Sequence, residues 1–191
     1  MTPAEILRHQ EQALQNCRQC KLCEGRTHVV FGSGNPTAEF VVIGEGPGAD
    51  EDAQGLPFVG RAGQLLTKML TAVNLTREEV FITNAVLCRP PGNRNPEPDE
   101  LAACAPFLAA KLAVIQPKVV LALGSVATQS LLRTKEAIGK LRGRLHPFGD
   151  AVLIPTFHPA FLLRNPGPEY KRMAWEDLKL ARREYDKRKT R

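Results

Sequence analysis

Five cysteines are the residues of this chain whose spacing most clearly points to chemistry. Three of them form the run Cys17-Arg-Gln-Cys20-Lys-Leu-Cys23, and Cys88 and Cys104 lie far downstream. Short C-x-x-C spacing presents two thiolates to one ion, and a distant second pair can complete a four-sulfur site. The odd count argues against a disulfide framework. The spacing therefore favours a metal or iron–sulfur site over five unrelated thiols, without deciding which four cysteines would be ligands.

Length and composition indicate one globular domain that spans residues 1–191. The chain is 43% hydrophobic, which is enough for a substantial core. No apolar run approaches the roughly 20 residues of a transmembrane helix, and the amino terminus lacks the apolar stretch of a secretory signal. We therefore expect a cytoplasmic protein with no membrane partner, and we expect it to be a monomer.

The positive charge of the chain predicts a polyanionic partner. The formal net charge is +6 at pH 7, and a basic surface is typical of nucleic-acid binding. Much of this charge lies in a basic tail, residues 179–191, which could equally be a solvated helix end. Basic residues in Gly- and Pro-rich loops are more informative, because loop arginines can reach phosphates. They are Arg89, Arg94, Lys140, Arg142, Arg144 and Arg164.

The hydrophobic pattern predicts alternating strands and helices. Continuous apolar runs of this kind suit a parallel sheet covered on both faces, and the alternation indicates a three-layer α/β/α sandwich with a central, mostly parallel, four-stranded sheet. The predicted strands cover residues 40–43, 80–86, 119–123 and 151–157. The predicted helices cover residues 3–16, 62–73, 99–115, 125–132 and 170–186.

Three of the predicted strands run directly into unusual loops. These loops begin at Gly44, Asn84 and His158. Ligands bind at the carboxyl ends of strands in such sheets, so we expect the three loops to form one site. The first loop, Gly44-Glu45-Gly46-Pro47-Gly48, lets the backbone approach a planar ligand closely. It lacks the dinucleotide and Walker patterns, and an ordinary strand–helix turn is the alternative.

Three side chains in these segments are candidates for ligand contact, each with a structural alternative. Phe58, between Pro57 and Gly60, is either a core residue or a stacking platform for a base. Asn84 ends an apolar strand, where an amide is costly without partners; it either caps the turn or reads the edge of a base. His158 is either structural or catalytic, since it ends a strand and precedes an apolar wedge and an arginine.

Taken together, residues from about 17 to 183 resemble family 4 of the uracil-DNA glycosylase superfamily, its iron–sulfur family. The motifs are Gly44-Glu45-Gly46-Pro47-Gly48, then Cys88-Arg89-Pro90-Pro91 with Asn95-Pro96, and finally His158-Pro159-Ala160 with Leu162-Leu163-Arg164. The resemblance implies an enzyme of base excision repair that flips uracil out of DNA and hydrolyses its N-glycosidic bond, leaving an abasic site. It also implies a [4Fe–4S] cluster on Cys17, Cys20, Cys88 and Cys104, with Cys23 as a bystander.

The resemblance assigns roles to individual residues. Uracil would contact Gly44, Glu45, Gly46, Phe58, Asn84 and His158. Among these, Phe58 would stack on the base, Asn84 would read N3–H and O4, and His158 would donate a hydrogen bond to O2. Leu162 or Leu163 would fill the space that the flipped nucleotide leaves. The phosphates of single- or double-stranded DNA would be held by Arg142, Arg144 and Arg164.

The chain departs from the classical enzymes of the superfamily in its first motif. Those enzymes place an aspartate and a tyrosine there, whereas this chain has Gly46 and Gly48. Glu45 is therefore the first candidate to position the water, and Asp50 is a candidate for excluding thymine. The covalent-trapping branch carries a histidine in a loop after the central strand, and residues 91–96 contain none, which argues for turnover.

Three other functions fit parts of the pattern. A broader deaminated-base or mismatch glycosylase would use the same pocket on other bases. A non-catalytic iron–sulfur DNA-binding module of the same fold would be expected to lack residues such as His158 or Asn84. A small electron carrier is disfavoured, because its cysteines would form a compact run.

Overall fold

A computed structural model describes residues 1–190, so the last residue of the predicted basic tail lies outside the described part. The chain forms one sheet of six strands in the order β1-β3-β2-β4-β6-β5. The strands are β1 (Ser33–Gly34), β2 (Phe40–Gly44), β3 (Phe81–Asn84), β4 (Val119–Leu123), β5 (His146–Phe148) and β6 (Ala151–Thr156).

The four central strands confirm the predicted parallel sheet. The strands β3, β2, β4 and β6 are mutually parallel, and every residue in them is buried. The second predicted strand, 80–86, is shorter in the structure, as β3, because the chain leaves the ladder after Asn84. The Ala85 and Val86 amides then donate to the Gly44 and Glu45 carbonyls, at 2.8 and 3.1 Å.

Two short edge strands were not predicted, so the sheet has six strands instead of four. Both pair antiparallel with their neighbours, β1 with β3 and β5 with β6. They span only two and three residues and are half-buried or exposed. A segment of that length carries no hydrophobic periodicity, and Pro147 in the second one is typical of edge strands only.

The five predicted helices are confirmed within two residues at each end. They are α1 (Pro3–Leu14), α3 (Arg61–Ala72), α4 (Pro98–Ile115), α5 (Gly124–Leu132) and α8 (Pro168–Arg188). Three shorter helices were not predicted, namely α2 (Ala49–Gln54), α6 (Ile138–Leu141) and α7 (Pro159–Arg164). Two of these short helices follow directly on strand-end loops, where they help to shape the site.

Alternate side chains of the central strands pack into two separate hydrophobic clusters. In β2, Phe40 and Val42 pack with residues of α3, α7 and α8, whereas Val41 and Ile43 pack with residues of α1 and α4. This alternation follows from the period of two in a strand. It confirms the predicted three layers. Among the described residues, no helix combines the length and apolar character needed to cross a membrane.

A buried lysine joins the helical layer of α4 to the sheet. Lys111 is fully buried; its Nζ donates to the Phe31 carbonyl and, at 2.9 Å, to Thr83 Oγ1. The Thr83 hydroxyl also donates to the Phe31 carbonyl at 3.0 Å. Burial lowers the pKa of Lys111 to about 7. These contacts fix the end of β3 immediately before Asn84.

Candidate active site

A pocket of about 400 Å³ lies at the carboxyl ends of the central strands. The loops after β2, β3 and β6 line it together, as the sequence predicted from the topology of the sheet. It brings together side chains that are far apart in the chain. Among the predicted site residues, it is lined by Glu45, Gly46, Phe58, Asn84, His158 and Arg164.

The floor of the pocket is formed where β2 and β3 end side by side. In the parallel register Gly44 lies directly opposite Asn84. A Cβ atom at Gly44 would lie 2.5 Å from Asn84 Oδ1 and 2.5 Å from Phe58 Cζ. Real Cβ atoms do not approach other atoms so closely, so only glycine lets these two side chains meet over the strand end. Gly44 therefore shapes the pocket through the space that it leaves.

Asn84 carries a buried acceptor with no partner. The residue is 1% exposed, and its Oδ1 has no hydrogen-bond partner in the described protein. An unsatisfied buried polar atom costs on the order of 1–3 kcal/mol. Such an atom in the wall of a pocket is suited to accept a hydrogen bond from a ligand N–H. The alternative role in capping the turn finds no support, because no turn amide donates to this oxygen.

Phe58 is held in a left-handed backbone conformation with its ring in the pocket wall. Its φ is 53°, and its ring stacks on the His158 ring with centroids 5.7 Å apart at 29°. The Glu51 carboxylate accepts from the amides of Val59 and Gly60 at 2.8 and 2.7 Å, and from that of Gly48 at 3.1 Å. Glu51 thus ties the glycine loop to the Phe58 loop. Sequence reasoning missed Glu51, and its only signal was its place in the acidic run Asp50-Glu51-Asp52.

His158 is a neutral hydrogen-bond donor at the pocket. It caps α7, and its Nδ1 accepts from the Ala160 amide at 3.0 Å, so the single proton of the neutral ring is on Nε2. Burial, and secondly the charge of Arg164, lowers its pKa to about 4. Gly124 makes room for it, since a Cβ there would lie 3.0 Å from the His158 Cβ.

Glu45 is a half-buried carboxylate on the pocket wall. Burial raises its pKa above the ordinary value, and the positive charge of Arg164 partly opposes this. A raised pKa makes the carboxylate a better acceptor for a water proton. Asp50, the candidate for thymine exclusion, also lines the pocket and is exposed. That role of Asp50 stays a prediction.

The candidate wedge residues differ in their exposure. Leu163 is 39% exposed, whereas Leu162 is 4% exposed and packs in the core with α3 and α8. Only Leu163 is therefore free to enter a DNA stack without unpacking the core. Arg164 follows it at the end of α7, exposed at the pocket, and Arg144 is exposed in the loop before β5.

Arg142 has an internal partner that the sequence did not indicate. Its Nη2 and Nε donate to the Asp177 carboxylate at 2.6 and 2.9 Å, and Asp177 is fully buried. Thr156 Oγ1 donates to the same carboxylate at 2.7 Å. The ion pair therefore anchors the loop before Arg144 to α8 and to the end of β6. Phosphate binding by Arg142 stays a prediction.

Four of the five cysteines surround one small, mostly apolar cavity. Cys17, Cys20, Cys88 and Cys104 line it, and Cys23 does not. Within residues 1–190 no group of three or more His, Cys, Asp or Glu side chains is arranged to hold a single ion. Four thiols around one cavity match the four-cysteine ligand set of an iron–sulfur cluster.

An arginine side chain contacts two of the four cysteines that line this cavity. Arg26 Nη1 donates to the Cys17 carbonyl at 2.6 Å and to Cys88 Sγ at 3.6 Å. Burial raises the pKa of Cys88 to about 11, and Arg26 partly opposes this. Buried thiols of this kind ionise only when a cation compensates their charge, and metal ligation supplies one.

A family model described as the Uracil DNA glycosylase superfamily matches residues 31–179. That stretch contains all the strands and every pocket residue named above, and the chain belongs to this superfamily. Two relatives named Type-4 uracil-DNA glycosylase are similar to it over most of its length. The protein from Thermotoga maritima is 44% identical over 95% of both chains, and that from Saccharolobus solfataricus is 45% identical over 80% of this chain and 75% of its own.

The similarity extends more weakly to a neighbouring branch. A Type-5 uracil-DNA glycosylase from Thermus thermophilus is 32% identical over 81% of this chain and 79% of its own. The type-4 relatives share more of the sequence, at 39–45% identity. The chain therefore falls in the type-4 branch, which confirms the resemblance inferred from its motifs.

The close approach at Gly44 generates a first prediction. We expect Gly44→Ala to displace Asn84 and Phe58, because the added methyl group overlaps both, and to lower the free energy of unfolding by about 1–3 kcal/mol. Chemical denaturation and a crystal structure of the variant test this. Gly139→Ala is the matched control, since a Cβ there meets no atom within 4 Å. Unchanged positions of Asn84 and Phe58 in the Gly44 variant would contradict the prediction.

Proposed function

We propose that this chain excises uracil from DNA in base excision repair by hydrolysing the N-glycosidic bond and leaving an abasic site. The buried, unpartnered Oδ1 of Asn84, in a pocket that Phe58 and His158 also line, carries the proposal. The names of the type-4 relatives support it. We propose further that the protein acts as one domain and as a monomer in the cytoplasm, where reducing conditions preserve thiolates.

Base recognition in this proposal depends on Asn84 and Phe58. Uracil in a stacked strand is out of reach, so the nucleotide is first extruded into the pocket. Phe58 stacks on the ring, and the orphaned Asn84 oxygen accepts from N3–H while the amide group donates to O4. Cytosine has an unprotonated N3 and an amino group in these places, so its binding leaves buried polar groups unpaired. The backbone of Gly44 and Gly46 completes the contact.

Bond cleavage depends on His158 and Glu45. The C1′–N1 bond breaks and its electron pair moves to uracil, whose developing negative charge on O2 accepts a hydrogen bond from His158 Nε2–H. This is worth about 3 kcal/mol in the transition state. Water, held by Glu45, forms the new bond to C1′ and loses its proton to that carboxylate or to solvent. The chemistry is hydrolytic and requires no electron transfer.

DNA contact in this proposal comes from the surface around the pocket mouth. Leu163 enters the stack in place of the flipped base, because it is exposed where Leu162 is buried. Arg164 and Arg144 hold phosphates, which supply affinity without sequence preference. Arg142 contributes through Asp177, by holding the loop that carries Arg144.

We propose that Cys17, Cys20, Cys88 and Cys104 hold a [4Fe–4S] cluster. The shared cavity and the absence of Cys23 from its lining support this set. The cluster supplies covalent cross-links between the loop after α1, the loop after β3 and α4. None of the pocket residues takes part in holding it, so its role in this proposal is structural.

The central test uses an oligonucleotide with one uracil and a matched one with thymine. We expect alkali-labile strand scission only with uracil. His158→Asn, which keeps an acceptor for the α7 cap, should lower the single-turnover rate about 10²- to 10³-fold and change DNA affinity less than twofold. No scission by the wild type would overturn the proposed function. Equal losses of rate and affinity would overturn the role of His158.

The pKa shifts predict the pH dependence of the cleavage step. Because the pKa of Glu45 is raised, protonation of its carboxylate should lower the cleavage rate as the pH decreases. This fall should begin at a higher pH than the ordinary pKa of a glutamate would give. His158 should add no inflection near pH 6.5, because its pKa is about 4. Single-turnover rates from pH 5 to 9 test both points. The Glu45→Gln variant should cleave more slowly, and its rate should no longer fall at low pH. A fall at low pH that persists in this variant would contradict the role of Glu45.

The cluster assignment predicts different results for two cysteine variants. Cys104→Ser should lose most of the iron and inorganic sulfide, about four of each per chain in the wild type, and should lower the melting temperature. Cys23→Ser should retain both and melt like the wild type. Iron and sulfide analysis with thermal denaturation tests this. Loss of iron in the Cys23 variant, or zinc in place of iron in the wild type, would contradict the assignment.

A further inference from the structure

The loop that carries Phe58 has an unusual backbone. Phe58 has a φ of 53° in the left-handed region, which is sterically disfavoured for a residue with a Cβ. The surrounding structure must therefore hold it there. The ring position depends on this conformation, since the ring extends from this residue to contact His158 and the space over Gly44.

Arg77 contacts the two carbonyl groups at this point. It lies in the connection between α3 and β3, nineteen residues away from Phe58 in sequence. Its Nη1 donates to the Phe58 carbonyl at 3.0 Å and its Nη2 donates to the Pro57 carbonyl at 2.8 Å. The planar guanidinium presents two parallel donors to two successive acceptors, which the single ammonium of a lysine cannot reproduce.

Packing on the other side restricts the Phe58 carbonyl as well. A Cβ at Gly63 would lie 1.9 Å from the Phe58 carbonyl oxygen, so the first turn of α3 passes directly against it. The amides that follow Phe58 are held by Glu51. Arg77 fixes the carbonyl side of the loop, and Glu51 fixes the amide side. Arg77 itself does not line the pocket.

We propose that Arg77 is a positioning residue for base stacking: its guanidinium holds the Pro57 and Phe58 carbonyls and thereby keeps the Phe58 ring in place as the stacking surface of the pocket. This rests on the proposed function, in which uracil stacks on Phe58. Arg77 touches neither base nor DNA in this proposal. It acts only through the loop.

The test measures base binding separately from DNA binding. Free uracil, as an inhibitor, probes the base pocket alone, and DNA with a tetrahydrofuran abasic analogue probes the backbone contacts alone. For Arg77→Gln we expect uracil inhibition to weaken about five- to tenfold, a part of what stacking on an aromatic contributes. The single-turnover rate on uracil DNA should fall about tenfold or more, and affinity for the analogue should change less than twofold.

The matched control is Arg182→Gln. Arg182 Nη1 also donates to two successive carbonyls, those of Val73 and Asn74, each at 3.2 Å. These carbonyls lie in the connection that contains Arg77, at the end next to α3. Arg182→Gln should leave uracil inhibition unchanged. Phe58→Ala supplies a second comparison: if Arg77 acts through Phe58, adding Arg77→Gln to that variant should have no further effect on inhibition or rate.

Several outcomes would overturn the proposal. The first is uracil inhibition of Arg77→Gln as strong as that of the wild type. The second is a weakening of uracil inhibition in Arg182→Gln equal to that in Arg77→Gln. The third is a further loss of inhibition or rate when Arg77→Gln is added to Phe58→Ala. Should Arg77→Gln fail to fold, Arg77→Lys keeps the charge and one donor, and inhibition by uracil as strong as in the wild type would then overturn it. If the wild-type protein releases no uracil, the proposed function is refuted instead. That result is obtained before any variant is compared.

Discussion

The pocket depends on one steric constraint at the end of β2. Gly44 lies opposite Asn84 in the parallel register, and any side chain there would overlap both Asn84 and Phe58. The register is itself fixed by burial on both faces of the sheet, because a shift by one residue would exchange the two hydrophobic clusters. The core thus determines which residue meets Asn84. The pocket is a consequence of strand pairing as much as of loop conformation.

The two helical layers have different tasks. The layer of α3, α7 and α8 supports the Phe58 and His158 side of the pocket, whereas the layer of α1 and α4 contains the four-cysteine cavity. Two polar contacts connect α4 to the region of the pocket. Lys111 joins α4 to Thr83 beside Asn84. Glu100, buried near Cys104 in α4, forms a bidentate ion pair with Arg94 on the pocket wall, which lowers the pKa of Glu100 to about 2. The proposed cluster can therefore be structural and still affect the pocket.

The sequence predicted the elements whose signals are local and repeated. The four central strands and five long helices follow from hydrophobic period, and the convergence of the loops follows from the topology of a parallel sheet. The edge strands β1 and β5 could not be predicted, because two or three residues carry no period. Arg142 illustrates a second limit. Its ion pair with Asp177 joins residues 35 positions apart, and nothing in either local sequence indicates it.

Glu51 and Arg77 also make contacts that no local sequence pattern indicates, since each acts by contacting backbone atoms. A backbone carbonyl or amide is the same at every position, so the sequence around an acceptor carries no sign of its donor. The left-handed conformation of Phe58 is equally hidden, because glycine is the residue that usually marks such a turn. Sequence motifs found the groups proposed to touch uracil. The residues that hold those groups in place became visible only with the fold.

Arg164 links the electrostatics of the pocket to its proposed substrate. Its charge acts on two titratable groups in the pocket: it contributes to the low pKa of His158 and opposes the rise in the pKa of Glu45. Both effects favour the state in which His158 is neutral and Glu45 is ionised, the state that hydrolysis in the proposed mechanism requires. A bound phosphate would partly neutralise Arg164 and so weaken both effects. Because burial is the larger cause of the shift at His158, the histidine should stay neutral with DNA bound. The donor at Nε2 is therefore fixed by the fold and by the α7 cap, before any substrate arrives.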